Sequence, residues 1–155
     1  MFVRFATVVN LEPLPQNQKT LEYIVRNEPT FNDVQEQAIR RITDKKILQR
    51  LKHSTTRNYI YSLTLEVEGI YKRPRNISEV KEKSNDKDYL LYVANCLGID
   101  TDIQRQARIE LFNMGYHHIE EDVTYTPLSR VQDRVMIDEG QKRIYLASPS
   151  NNSNF

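Results

Sequence analysis

His117-His118-Ile119-Glu120-Glu121-Asp122 is the densest run of imidazole and carboxylate groups in the chain, and these are the atoms that zinc or a two-metal centre uses. On a helix, His118 and Glu121 would share a face. A metal shell needs three or four converging ligands, however, and adjacent residues on one strand or helix point apart. His117, His118 and Glu121 therefore need a distant further ligand that the sequence does not identify. The run reads better as a solvated polar turn after Gly115, so a metal-dependent hydrolase is the most remote of three functional readings and no metal or cofactor is expected.

Other chemistry is thinly represented. Cys96 is the single cysteine, which excludes an internal disulfide and fits a reducing compartment. No signature of a catalytic thiol surrounds it, so it reads as a buried, inert side chain on a helix. The four glycines are scattered singly and cannot build a phosphate cradle or a dinucleotide fingerprint. No apolar run approaches the roughly 20 residues of a membrane span. Residues Met1 to Asn10 are apolar but interrupted by Arg4 and lack a cleavage site, so they are not read as a signal peptide. A cytoplasmic protein with no membrane partner is the expectation.

Charge is the second candidate for function. The chain is nearly neutral, yet residues 1–77 carry 13 Lys and Arg against 8 acids, and residues 78–155 carry 9 against 13. Arg40, Arg41, Lys45, Lys46, Arg50, Lys52, His53 and Arg57 crowd one stretch. Lys72, Arg73 and Arg75 follow, with Tyr59, Tyr61 and Tyr71 between them. Cations interleaved with aromatics suit a phosphate backbone and stacked bases. The plainer account is a solvated face with Glu36, Asp44 and Glu66 as local partners. A nucleic-acid-binding protein using residues 40–75 is accordingly the alternative function, not the leading one.

The elements that would position these groups come from a repeat. Leu21-Glu-Tyr23-Ile24-Val25 running to Asp33-Val34-Gln35-Glu36-Gln37-Ala38 is written again, ungapped and 69 residues later, as Leu90-Leu-Tyr92-Val93-Ala94 running to Asp102-Ile103-Gln104-Arg105-Gln106-Ala107. The copies end at Ile42 and Leu111, and roughly a quarter of the aligned positions are identical. Leu21, Ile24 and Val25 have helical spacing, Pro29 breaks the chain, and Val34, Ala38 and Ile42 make the stripe of a second helix. Asp33 and Asp102 read as N-cap or first-turn acids. Ala38 and Ala107 read as points of close helix approach.

The spacing Leu-x-x-Ile-Val, a polar turn, Asp-Val-x-x-x-Ala-Ile-x-x-Ile and then Thr43-Asp44 leading into Ile47-Leu48 resembles the HEAT-type α-hairpin repeat in its bacterial variants. The resemblance covers about residues 20–52 and 88–111. It implies hairpins stacked into a superhelix and a non-enzymatic protein-binding scaffold, and it carries over no catalytic residue. The family's usual Arg after the helix-opening Val is Gln35 and Gln104 here, so the family's inter-repeat contacts are not transferred at that position.

Between the copies, residues 45–53 read as an amphipathic helix capped by Thr43, with Ile47, Leu48 and Leu51 inward. Residues 57–70 admit two readings. Ile60, Leu63, Val67 and Ile70 make a helical stripe, but Tyr61, Leu63, Leu65 and Val67 also alternate with polar residues as a half-buried strand does. Intrinsic preference favours strand and repeat context favours helix. Residues 71–87 have the composition of an insertion loop or a short frayed helix. Val135-Met-Ile137 and Ile144-Tyr-Leu146 flank Asp138-Glu139-Gly140-Gln141, a hairpin turn. Residues 1–10 read as a strand or docking arm and 148–155 as a disordered tail.

The expected fold is mainly α: two or three stacked α-hairpins within a single domain, 1–147, with short extended or β segments at both ends, and α+β as the alternative. The expected partner is another protein with an acidic surface. The candidate binding residues are Arg40, Arg41, Lys45, Lys46, Arg50, Arg57, Tyr59, Lys72, Arg73 and Arg75.

Overall fold

The computed structural model describes residues 17–28, 32–118 and 133–147, so the expected N-terminal arm and C-terminal tail lie outside the described residues. The helices are α1 (Gln18–Asn27), α2 (Asp33–Arg41), α3 (Lys45–Ser54), α4 (Asn58–Val67), α5 (Ile77–Glu82), α6 (Lys87–Ala94) and α7 (Thr101–Asn113). A small sheet of β1 (His117–His118), β2 (Val135–Asp138) and β3 (Arg143–Leu146) follows. The chain is mainly α with β additions at its C-terminal end.

Both copies of the repeat start with the same cap. Asn17 Oδ1 accepts from the Thr20 N–H at 3.1 Å, and Asp86 Oδ1 accepts from the Tyr89 N–H at 3.1 Å. Each carboxyl or amide oxygen answers one of the unpaired N–H groups of a helix start. Asp33 and Asp102 are first-turn acids rather than caps, which are Asn32 and Asp100. The cap of α3 is Asp44, whose carboxylate accepts from the Lys46 N–H at 2.9 Å, not Thr43.

Consecutive helices pair as α1 with α2, α3 with α4, and α6 with α7. The first two pairs stack like on like, α1 against α3 and α2 against α4, and the third docks through α6 on α4. The buried face of α2 is Gln35, Ala38 and Ile39, continued by Ile42 just past its end, so the stripe is rotated from the expected Val34–Ala38–Ile42. Val34 is only half-buried.

Helix α4 is the spine. Its residues from Asn58 to Leu65 are all buried. Tyr59, Ile60 and Leu63 belong to a core with α1, α2 and α3, whereas Tyr61 and Leu65 belong to a second core with α6, α7 and the sheet. A helix enclosed on every side has no polar stripe. This is the physical reason the 57–70 stretch carried no decisive period, and its helical state removes the ground for an α+β fold.

The 71–87 segment is less loose than an insertion loop. Asn76 caps α5 by accepting from the Glu79 N–H at 3.0 Å, and Val80 is fully buried as α5 packs on α7. The sheet has the order β1-β3-β2, with β1 parallel and β2 antiparallel to β3. In the β2–β3 turn the left-handed residue is Lys142, at φ 52°, rather than Gly140. Asn95, just beyond α6, clamps β2 with both ends of its amide: its Nδ2 donates to the Val135 carbonyl at 3.1 Å and its Oδ1 accepts from the Val135 N–H at 2.8 Å.

Candidate functional site

Several members of the basic stretch are paired with different carboxylates. Arg50 reaches Glu22 on α1, with Nη2 to Oε1 at 2.8 Å, and Arg26 shares the same carboxylate. The Arg50 hydrogen bond, opposed by desolvation and aided by Arg26, holds the Glu22 carboxyl below its ordinary pKa. Arg40 pairs with Glu36 at 3.0 Å and Arg75 with Glu79 at 3.1 Å, each one helical turn away. Arg57 reaches Asp133 at 3.7 Å and bridges to its backbone. Arg41 is half-buried, and Lys45, Lys46 and Lys72 are exposed.

Of the three tyrosines expected to stack on bases, two are buried and Tyr71 is half-buried. Tyr59 is 3% and Tyr61 8% exposed. Tyr71 is stacked on Tyr92 at 5.3 Å between ring centres and lies edge-on to Tyr89 at 5.5 Å. Burial raises the pKa of each of the three tyrosines of the basic stretch. Tyr59 and Tyr61 present no open face of the kind that a single-stranded nucleic acid stacks on, whereas Tyr71 is half-buried and lines a cavity.

Arg40, Tyr59 and Arg73 do converge. They line a groove of about 460 Å³ with Glu36, Leu63 and Leu97, where α2 and α4 meet the turn between α6 and α7. Arg73 is fixed twice, by Nε to Glu66 Oε2 at 3.1 Å and by Nη1 to the Leu97 carbonyl at 2.7 Å. Gly98 closes this turn at φ +90°, a left-handed conformation that side chains resist, and a Cβ there would stand 3.6 Å from Arg73 Nη1. The groove thus brings two guanidiniums, the Glu36 carboxylate and the apolar side chains of Leu63 and Leu97 together.

The metal reading gains nothing from the geometry. His117 and His118 form strand β1, with the His117 N–H donating to the Lys142 carbonyl at 2.7 Å, so the run begins as a strand and not as a solvated turn or a helix face. Glu121 lies outside the described residues. Among the described residues, no group of three or more His, Cys, Asp or Glu side chains could hold a metal ion. Cys96 is fully buried just past the end of α6 rather than on it, and burial pushes its thiol up to about 12. That is far from a reactive thiolate.

Sequence reasoning missed Arg134, which lies over the Tyr61 ring with its guanidinium carbon 4.0 Å from the ring centre. No periodicity or motif marks it, because its partners come from α3 and α4, about eighty residues earlier. No family model, no curated protein and no solved structure matches this chain. Among the described residues, no helix is long and apolar enough to cross a membrane.

Proposed function

We propose that this chain is a non-enzymatic adaptor domain of HEAT-like build, acting in the cytoplasm, that binds an acidic segment of another protein. The observation that carries this reading is the groove between α2, α4 and the α6–α7 turn, which Arg40 and Arg73 line together with Leu63 and Leu97. Apolar walls supply contact area and the guanidiniums supply orientation, since Arg binds carboxylates with two parallel hydrogen bonds. Glu36 and Glu66, which now hold these arginines, would be exchanged for the partner's carboxylates. Exchange of one ion pair for another costs little on a surface and gives specificity more than affinity. The buried, lone Cys96 suits a reducing compartment.

The interior position of Tyr59 and Tyr61 favours a protein partner over a nucleic acid, because base stacking needs open rings. The test is capture of partners on the immobilised chain, with an Arg40→Glu, Arg73→Glu double variant beside it. A protein retained by the wild type and lost by the variant supports the proposal. Retention of nucleic acid in its place, or of the same proteins by both forms, overturns it.

A further inference from the structure

A second cavity, of about 330 Å³, lies where the end of α3 meets α4, the segment leading to α5, and the start of β2. It shares no lining residue with the groove. Leu65, Ile70 and Tyr71 supply apolar surface, and Lys52, His53 and Arg134 supply nitrogen donors. A concave, largely preformed space with a few convergent polar groups is the usual form of a small-molecule site, and this volume is at the lower end of such sites.

Arg134 is the informative residue. Its Nη1 donates to the Lys52 carbonyl at 2.9 Å and to the Thr55 carbonyl at 3.3 Å, which closes the end of α3 and fixes the guanidinium over Tyr61. Among the described residues its buried Nε has no hydrogen-bond partner, and no ion pair joins it to a carboxylate, although Asp88 lines the same cavity. Burial lowers its pKa. Lys52 differs, since Glu68 answers it at 3.6 Å. A desolvated cation with no carboxylate hydrogen-bonded to it is costly, and an anion that binds it directly would recover part of that cost. Tyr71, wedged against Tyr89 and Tyr92, offers a rigid aromatic surface nearby.

We infer that this cavity binds a small organic anion, a single carboxylate or phosphate group on an aromatic or apolar body. The acid group sits against Arg134 and His53, and the body lies on Tyr71 and Ile70. Asp88, the one carboxylate among the lining residues, disfavours a second acid group on the ligand.

Phenyl phosphate and benzoate are the probes, with benzylamine as the cationic control, followed by calorimetry and by NMR shifts of Ile70 and Tyr71. Saturable binding of at least one anion, with no binding of benzylamine, is expected. Arg134→Met, which replaces the guanidinium over Tyr61 with an unbranched apolar side chain, abolishes binding. His53→Ala, at an exposed position, weakens it by about tenfold, the scale of one charge-assisted hydrogen bond. Asp88→Asn strengthens it. If Arg134→Met fails to fold, the His53 and Asp88 variants decide. Absence of saturable binding of both anions at millimolar concentration, or affinities unchanged in both of those variants, overturns the inference. Neither outcome bears on the groove, whose residues are untouched.

Discussion

Gln35 and Gln104, at the same position of the two repeat copies, make comparable contacts. Each is buried, and each donates from Nε2 at 2.9 Å to a carbonyl near the close of the preceding helix, Gln35 to Val25 O within α1 and Gln104 to Cys96 O two residues past the end of α6. The last carbonyls of a helix have no partner within it, and a buried one needs a donor. Here the position ties the two helices of one hairpin to each other, which a neutral amide does without burying a charge.

Replacement of either glutamine by leucine should leave that carbonyl unsatisfied at nearly constant volume, costing about 1–3 kcal/mol each. The sites belong to different core clusters and share no partner, so the double variant should lose the sum within about 0.5 kcal/mol. Urea unfolding of the three variants is the measurement. A loss at one site alone would mean that the two copies are not equivalent.

Ala38 and Ala107 are both fully buried where paired helices approach. Ala38→Leu and Ala107→Leu should each overpack a close contact and destabilise by about 1–3 kcal/mol. Unchanged melting temperatures in both would remove the close approach as the reason for alanine there.

Ser62→Pro and Thr64→Pro probe the spine. Both residues are buried within α4, and their hydroxyls donate to carbonyls three residues back, Ser62 to Tyr59 O and Thr64 to Tyr61 O. Proline removes a backbone hydrogen bond and clashes with the preceding turn, at a cost of about 3 kcal/mol or more each. Both variants should fail to fold by circular dichroism; a stable fold in either would speak for an extended segment.

The hairpins of the first and third pairs were legible because Leu21, Val25 and Ala38, and again Leu90 and Ala107, keep helical spacing against a polar background. Residues 58–65 were ambiguous because burial on all sides erases the period that sequence reading depends on. Arg40, Tyr59 and Arg73 stood out as residues, but their meeting in one groove could not be read, since it depends on how the third pair docks on the first two. Tyr59 and Tyr61 looked like part of a stacking surface because composition does not distinguish an exposed ring from a core ring.

Acid stability should depend on Glu22, whose side chain is 14% exposed in its pair with Arg50. Its folded pKa is lowered, so the stabilisation is complete above the unfolded value of about 4.3 and is lost as pH falls through the folded value. Wild type should therefore exceed Glu22→Gln in stability at neutral pH, and the difference should shrink below about pH 4. Glu139, lowered by Lys87, titrates in the same sense at the surface, so the variant should flatten only part of the acid limb. A difference constant from neutral to low pH would refute the assignment.

Lys45 and Lys46 open α3 at exposed positions, with no acid in the first turn. The positive end of a helix dipole disfavours cations there, and acids are preferred by about 0.3–1 kcal/mol each. Two lysines at this place run against local helix preference, which fits charges kept for a partner rather than for folding. Lys45→Glu with Lys46→Glu should leave the melting temperature unchanged or slightly raised. If the acidic partner reaches this corner as well as the groove, association should slow more than dissociation quickens, as for charges at an interface rim. Binding to a protein should weaken only modestly with added salt. A nucleic acid would instead give a steep linear fall of log affinity with log salt, shallower by about one for each phosphate contact removed. Surface plasmon resonance of wild type and variant across a salt series separates the outcomes. A steep slope that flattens in the variant would replace the adaptor with a nucleic-acid binder, and identical kinetics in both forms would confine binding to the groove.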